Sequence, residues 1–146
     1  MEEAAEHTKL WCGTAAALAV LGGRRGRRAA LSGLAAMAMA QLLSNAACKQ
    51  LVERPRPPKE WVPHDNSSSF PSGHTAAATA FTTAVTLTWP FVGAACAVPA
   101  AMVAVERVHS GAHYPSDVAA GAAIGLASTW TIRHLPGVLR RYVRLT

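Results

Sequence analysis

Three short polar clusters interrupt an otherwise apolar, alanine-rich chain of 146 residues. Lys49 to Pro57 reads K-x6-R-P, with Arg56 as its arginine. Pro71-Ser72-Gly73-His74 follows. Arg107 to Asp117 reads R-x5-H-x3-D, with His113 and Asp117 at its later positions. Together they supply the cations Lys49, Arg56 and Arg107, two histidines, a carboxylate and a Ser-Gly turn. A phosphomonoester carries nearly two negative charges, and its transition state spreads charge over the equatorial oxygens. Arginine meets such an anion with a planar fork and lysine with a point charge. Ser72 precedes the run Thr75-Ala76-Ala77-Ala78 and suits a helix N-cap. The helix start it implies offers free N–H groups and the positive end of the dipole. Gly73 lets backbone approach an oxygen closely. Lys49, Arg56, Ser72, Gly73 and Arg107 therefore read as a phosphate-binding set.

The histidines supply the chemistry. His113 is the expected nucleophile. Asp117, four residues on, is expected to face one imidazole nitrogen, fixing the tautomer and leaving the other nitrogen to attack phosphorus. His74 is the expected general acid for the leaving alcohol, and then the base that activates water. Taken singly, P-S-G-H is an ordinary helix cap and H-x3-D an ordinary N-cap beside a surface histidine. The weight lies in the combination. His109 and His113 beside Glu106 would resemble metal ligands on a regular helix, but Gly111 and Pro115 argue against a regular helix there. Neither a metal nor another cofactor is expected.

These clusters, in this order from residue 49 to 117, resemble the type 2 phosphatidic acid phosphatase superfamily. It includes membrane lipid-phosphate phosphatases, soluble class A acid phosphatases and vanadium haloperoxidases. The resemblance implies the same roles for Lys49, Arg56, Ser72, Gly73, His74, Arg107, His113 and Asp117, without a metal. One position departs: the family usually carries a small polar residue before the motif arginine, and here it is Glu106.

The rest of the chain must position these groups. Apolar residues make up 51% and charged ones 15%, against roughly 25% charged in soluble domains. Mean hydropathy is only +0.18, because alanine, glycine, serine and threonine fill the apolar runs. Small residues let helices pack closely in lipid. Five apolar segments can be drawn: Leu10–Leu21, Ala29–Ala47, Thr75–Trp89, Phe91–Val105 and Val118–Ile132. Most fall short of the ~20 residues that span hydrocarbon, and the motif residues are expected to extend them. Trp89-Pro90 suits a tight turn at the headgroup level, and Pro99 predicts a kink. The expectation is an all-α, integral-membrane bundle of about five transmembrane helices, one domain over 1–146.

Arginines 24, 25, 27 and 28 cluster between the first two segments, and arginines 133, 140, 141 and 144 follow the last. With five spans both clusters share one side, cytoplasmic by the positive-inside rule. Loops 48–74 and 106–117 then face the periplasm or exterior together. The net charge of +6 is thereby explained by topology. No basic stripe interleaved with aromatics suggests nucleic acid. Cys12, Cys48 and Cys96 lie far apart and read as small hydrophobes. The acidic start Met1-Glu2-Glu3 does not resemble a cleavable signal. Arg54 and Lys59 read as solvated or headgroup contacts, and loop 52–70 as a lid or a linker.

The expected function is hydrolysis of a lipid phosphomonoester or pyrophosphate in the cell membrane, with a lean toward a polyprenyl pyrophosphate. The alternatives are a lipid phosphotransferase on the same scaffold, or a non-enzymatic protein that binds or transports anionic lipid. The partners expected are the lipid substrate and the bilayer.

Overall fold

The computed structural model describes residues 2–48, 52–58 and 68–143. Five α-helices run among them: α1 Glu2–Leu21, α2 Gly23–Leu42, α3 Gly73–Thr88, α4 Pro90–His109 and α5 Pro115–Val143. A π-helical turn, Leu43–Cys48, continues α2. Each of the five expected apolar segments lies on one of these helices. The fold is all-α with membrane-spanning helices.

α3 is the axis of the bundle. It packs against α1, α2, α4 and α5. Ala76, Ala77, Ala78, Ala80, Phe81, Ala84 and Val85 are all buried, so it is apolar nearly all round. Trp11 of α1 stacks at a tilt on Phe81, with ring centroids 5.2 Å apart. On the other flank, α5 approaches so closely that a Cβ on Gly125 would stand 2.6 Å from the carbonyl oxygen of Ala76. One turn on, Thr129 Oγ1 donates to the carbonyl oxygen of Ala80 at 3.0 Å. Lipid tails are as apolar as leucine, so close packing of small residues and interhelical hydrogen bonds hold such helices together.

The contacts also fix direction. At one end, Arg25 Nε donates to the carbonyl oxygen of Thr88 at 3.0 Å, and its guanidinium lies 5.6 Å from the Trp89 ring centre. At the other end, the π-turn residues Ser44 and Asn45 lie beside Gly73. α2 is thus antiparallel to α3. α5 runs parallel to α3, which carries Arg133 toward the Arg25 end. The Arg24–Arg28 cluster and the P-S-G-H turn therefore occupy opposite ends. Trp89 alone separates α3 from α4, whose first residue is Pro90, as the Trp-Pro pair predicts. α4 continues through Pro99 to His109.

Two of the five helices are long and apolar enough to cross a membrane among the described residues: Gly23–Ala46 and Pro90–His109. This corrects the expectation that five qualify. α3 has only sixteen residues, and Thr8–Leu21 of α1 is a shorter apolar helix. The outer surface is nevertheless apolar: Phe91, Val98, Met102 and Val105 of α4 and Leu31 of α2 point outward. Contiguous exposed apolar surface of this kind suits a lipid environment.

Candidate active site

Ser72 caps α3: its Oγ accepts from the N–H of Thr75 at 3.4 Å and pairs with Thr75 Oγ1 at 3.0 Å. Its own N–H donates to the carbonyl oxygen of Asp117 at 3.0 Å. The first turns of α3 and α5 are thereby locked side by side. Gly73 is wedged against the π-turn, where a Cβ would meet Ser44 Oγ at 3.2 Å and Asn45 Oδ1 at 3.4 Å. A Cβ there would require the Ser44 side chain to give by a few tenths of an ångström.

Arg107, His113 and Asp117 follow from the end of α4 and the turn after it. Arg107 sits in the last turn of α4 and is 5% exposed. Its carbonyl oxygen accepts the N–H of His113 at 3.0 Å. Gly111, at φ 72, supplies the left-handed residue that reverses the chain between them. Asp117 lies in the first turn of α5 and is wholly buried. The Arg56 Nη1 donates to the carbonyl oxygen of Ala112 at 3.3 Å, which brings the first motif onto the third.

These groups share one cavity of ≈ 330 Å³, lined by Thr8, Gln41, Asn45, Arg56, Gly73, His74, Arg107 and His113. Of the predicted site residues, Arg56, Gly73, His74, Arg107 and His113 line it. Ser72 and Asp117 stand directly behind. Lys49 lies outside the described residues.

His113 differs from expectation in its partner. Its Nδ1 lies 2.6 Å from the carbonyl oxygen of Ser69, whereas Asp117 Oδ2 is 4.0 Å away. A carbonyl oxygen only accepts, so Nδ1 carries the hydrogen and Nε2 keeps its lone pair. The tautomer expected from Asp117 is set by a backbone oxygen instead. Asp117 is engaged elsewhere: Oδ2 accepts the N–H of Tyr114 at 2.9 Å, and Oδ1 pairs with Arg54 Nη1 at 2.7 Å. Burial holds His113 below the ordinary histidine value. The charges of Arg56 and Arg107 add to that effect, and the Ser69 bond and Asp117 oppose it. The balance favours the neutral ring.

Glu106, the departure from the family pattern, pairs with Nε of Arg107. It stands half out of the fold while Arg107 is buried. His109 lines a separate apolar groove with Val105, Val108 and Val118. Glu106, His109 and His113 do not converge, and no cluster of three metal-ligating side chains occurs among the described residues.

Sequence reasoning missed Ser69, Arg54 and the polar wall formed by Thr8, Gln41 and Asn45. Ser69 acts through its backbone, which leaves no signature in residue type. Gln41 and Asn45 had one: two carboxamides at i and i+4 on an apolar helix, where polar groups in lipid mark function. Asn45 Nδ2 donates to Gln41 Oε1 at 2.9 Å.

The model of the PAP2 superfamily matches residues 29–141. The chain is 45% identical over 62 residues to the lipid A 1-phosphatase of Rhizobium johnstonii, covering 42% of this chain and 25% of that protein. It is 28% identical over 111 residues to phosphatidylglycerophosphatase B of Bacillus subtilis, covering 68% and 55%. Among solved structures it resembles that of a transmembrane PAP2-type phosphatidylglycerolphosphate phosphatase from Bacillus subtilis. The TM-score is 0.59 at 27% identity, over 77% of this chain and 61% of the other. The chain thus spans between 25% and 55% of the length of these curated relatives.

Proposed function

The chain belongs to the PAP2 superfamily, and from that premise we propose that it is a membrane lipid-phosphate phosphatase working through a phosphohistidine. The observation that carries the reading is His113, held by Ser69 with Nε2 available, in one cavity with His74, Arg56 and Arg107.

In this reading the phosphoryl oxygens are met by Arg56, Arg107, Lys49 and the N–H groups at the start of α3. Nε2 of His113 attacks phosphorus, forming the P–N bond as the P–O bond to the lipid alcohol breaks. His74 gives its proton to the departing oxygen. It then takes a proton from water, which attacks phosphorus and breaks the P–N bond. Inorganic phosphate leaves and His113 is restored. Asp117 offsets the positive charge that His113 bears as phosphohistidine. No step is assigned to a metal.

A phosphomonoester on a hydroxylated headgroup is better supported than the pyrophosphate favoured by sequence. The carboxamides of Gln41 and Asn45 line the cavity and can hydrogen-bond hydroxyls, and two relatives are named lipid A 1-phosphatase and phosphatidylglycerophosphatase B. In this reading α2 and α4 cross the membrane, and α3 is shielded by its neighbours. The site faces the periplasm or exterior in this reading, because the Arg24–Arg28 cluster and Arg133 lie toward the opposite end and basic segments stay cytoplasmic.

The test is phosphate release in detergent from lipid phosphomonoesters and a polyprenyl pyrophosphate, with EDTA and with vanadate. We expect monoester hydrolysis undiminished by EDTA, inhibited by vanadate and abolished by His113→Ala. His74→Ala should slow turnover by on the order of 10²–10⁴-fold. Near-normal turnover in His113→Ala, or strict magnesium dependence, would sink the mechanism. Fastest release from the pyrophosphate would reinstate that substrate.

A further inference from the structure

Arg54 lies outside the three motifs, yet it joins the nucleophile's two supports. Its guanidinium Nη1 contacts Asp117 Oδ1 at 2.7 Å and Ser116 Oγ at 2.8 Å, and it lies 4.2 Å from the centre of the Tyr114 ring. Its backbone carbonyl accepts the N–H of Ser69 at 2.9 Å, and its N–H donates to Ser68 Oγ at 3.3 Å. Ser69 is the residue whose carbonyl holds His113. Arg54 therefore bonds, through backbone and side chain, both groups that face Nδ1 of His113. This replaces the sequence reading of a solvated or headgroup contact.

We propose that Arg54 is a positioning residue: it clamps Asp117 against the start of α5, keeps Ser69 in register with His113, and sets how much of the carboxylate's charge reaches the imidazole. The proposal rests on the reading of His113 as nucleophile. Asp117 is wholly buried, and a buried carboxylate without a partner is costly. Arg54 supplies that partner while remaining partly exposed. Paired this way, Asp117 can offset charge on the phosphohistidine without protonating the resting ring. Among the described residues, the other groups facing His113 are Arg56 from segment 52–58, Arg107 from α4 and His74 from α3, and those from α1 and α2, Thr8, Gln41 and Asn45, are neutral. Burial and the Ser69 bond act on His113 more strongly, but Asp117 is the carboxylate among the charges that raise its proton affinity, and Arg54 is the cation bonded to that carboxylate.

The test follows the His113 ring by NMR titration of imidazole-labelled protein in detergent, alongside the pH profile of kcat/KM. In Arg54→Gln, the His113 titration and the acidic limb should both move to higher pH, with kcat falling and KM nearly unchanged. Arg54→Lys, which keeps the charge but not the fork, should bring the titration back toward the parent value. In the pair Arg54→Gln with Asp117→Asn, the upward shift should vanish. That pair also removes the uncompensated charge, so it serves if Arg54→Gln alone does not fold. An unshifted titration in Arg54→Gln overturns the proposal, as does an upward shift in the pair. So does a pure KM effect that follows the lipid headgroup. The NMR readout needs no turnover, so failure of the nucleophile reading would show separately, as activity retained in His113→Ala.

Discussion

The imidazole Nδ1 of His113 is 2.6 Å from the Ser69 carbonyl oxygen and 4.0 Å from the Asp117 carboxylate. A neutral backbone acceptor orients the ring, and the buried charge stands just beyond hydrogen-bond range. The contacts with Nδ1 expected from one residue are divided between two.

That division makes Asp117→Asn informative. The Ser69 bond remains, so the tautomer should survive and turnover should persist at a reduced level, unlike His113→Ala. Burial already lowers the His113 value and Asp117 raises it. Removing the charge should lower it further, because the protonated ring loses a nearby anion that stabilises it. The acidic limb of kcat/KM should then lie at lower pH than in the parent, whose own limb is expected below the ordinary histidine value of about 6.5. A pH-rate series on both proteins checks this. An upward shift would contradict the placement of Asp117.

Topology is open to labelling with a membrane-impermeant thiol reagent on intact cells, after replacement of Cys12, Cys48 and Cys96. Glu53 and Arg24 are both exposed and lie toward opposite ends of the bundle. Glu53→Cys should label and Arg24→Cys should not. Ser68 is a poorer probe position, since its Oγ donates to the Val52 carbonyl at 2.6 Å and braces the loop. The reverse labelling pattern would put the chemistry in the cytoplasm.

The contact of α5 with α3 admits no side chain at Gly125. Gly125→Leu should force the helices apart, costing stability on the order of 1–3 kcal/mol or more. It should also reduce activity, because the Asp117 carbonyl that holds Ser72 rides on α5. Thermal unfolding in detergent, with phosphate release on the same preparation, measures both. A melting point equal to the parent would show that the interface yields more easily than its spacing indicates.

The local features of this protein were readable from residue types. Ser72 before Thr75 announced the start of α3, Trp89-Pro90 its junction with α4, and the apolar runs the five helices. Each depends on neighbours within a few residues, so capping chemistry and proline geometry suffice. The motif cations and histidines were legible because their charges stand out against alanine. What spans the chain was not legible. Which oxygen holds His113 depends on a contact 44 residues away, and what neutralises Asp117 on one 63 residues away. Those partners were decided when α5 packed beside α3 and drew segments 52–58 and 68–70 over its first turn. A backbone carbonyl has no side-chain identity to read, and Arg54 looks like any exposed arginine until the fold sets it against a buried carboxylate. The spacing of His113 and Asp117 put them side by side, but the tertiary packing decided the partners of each.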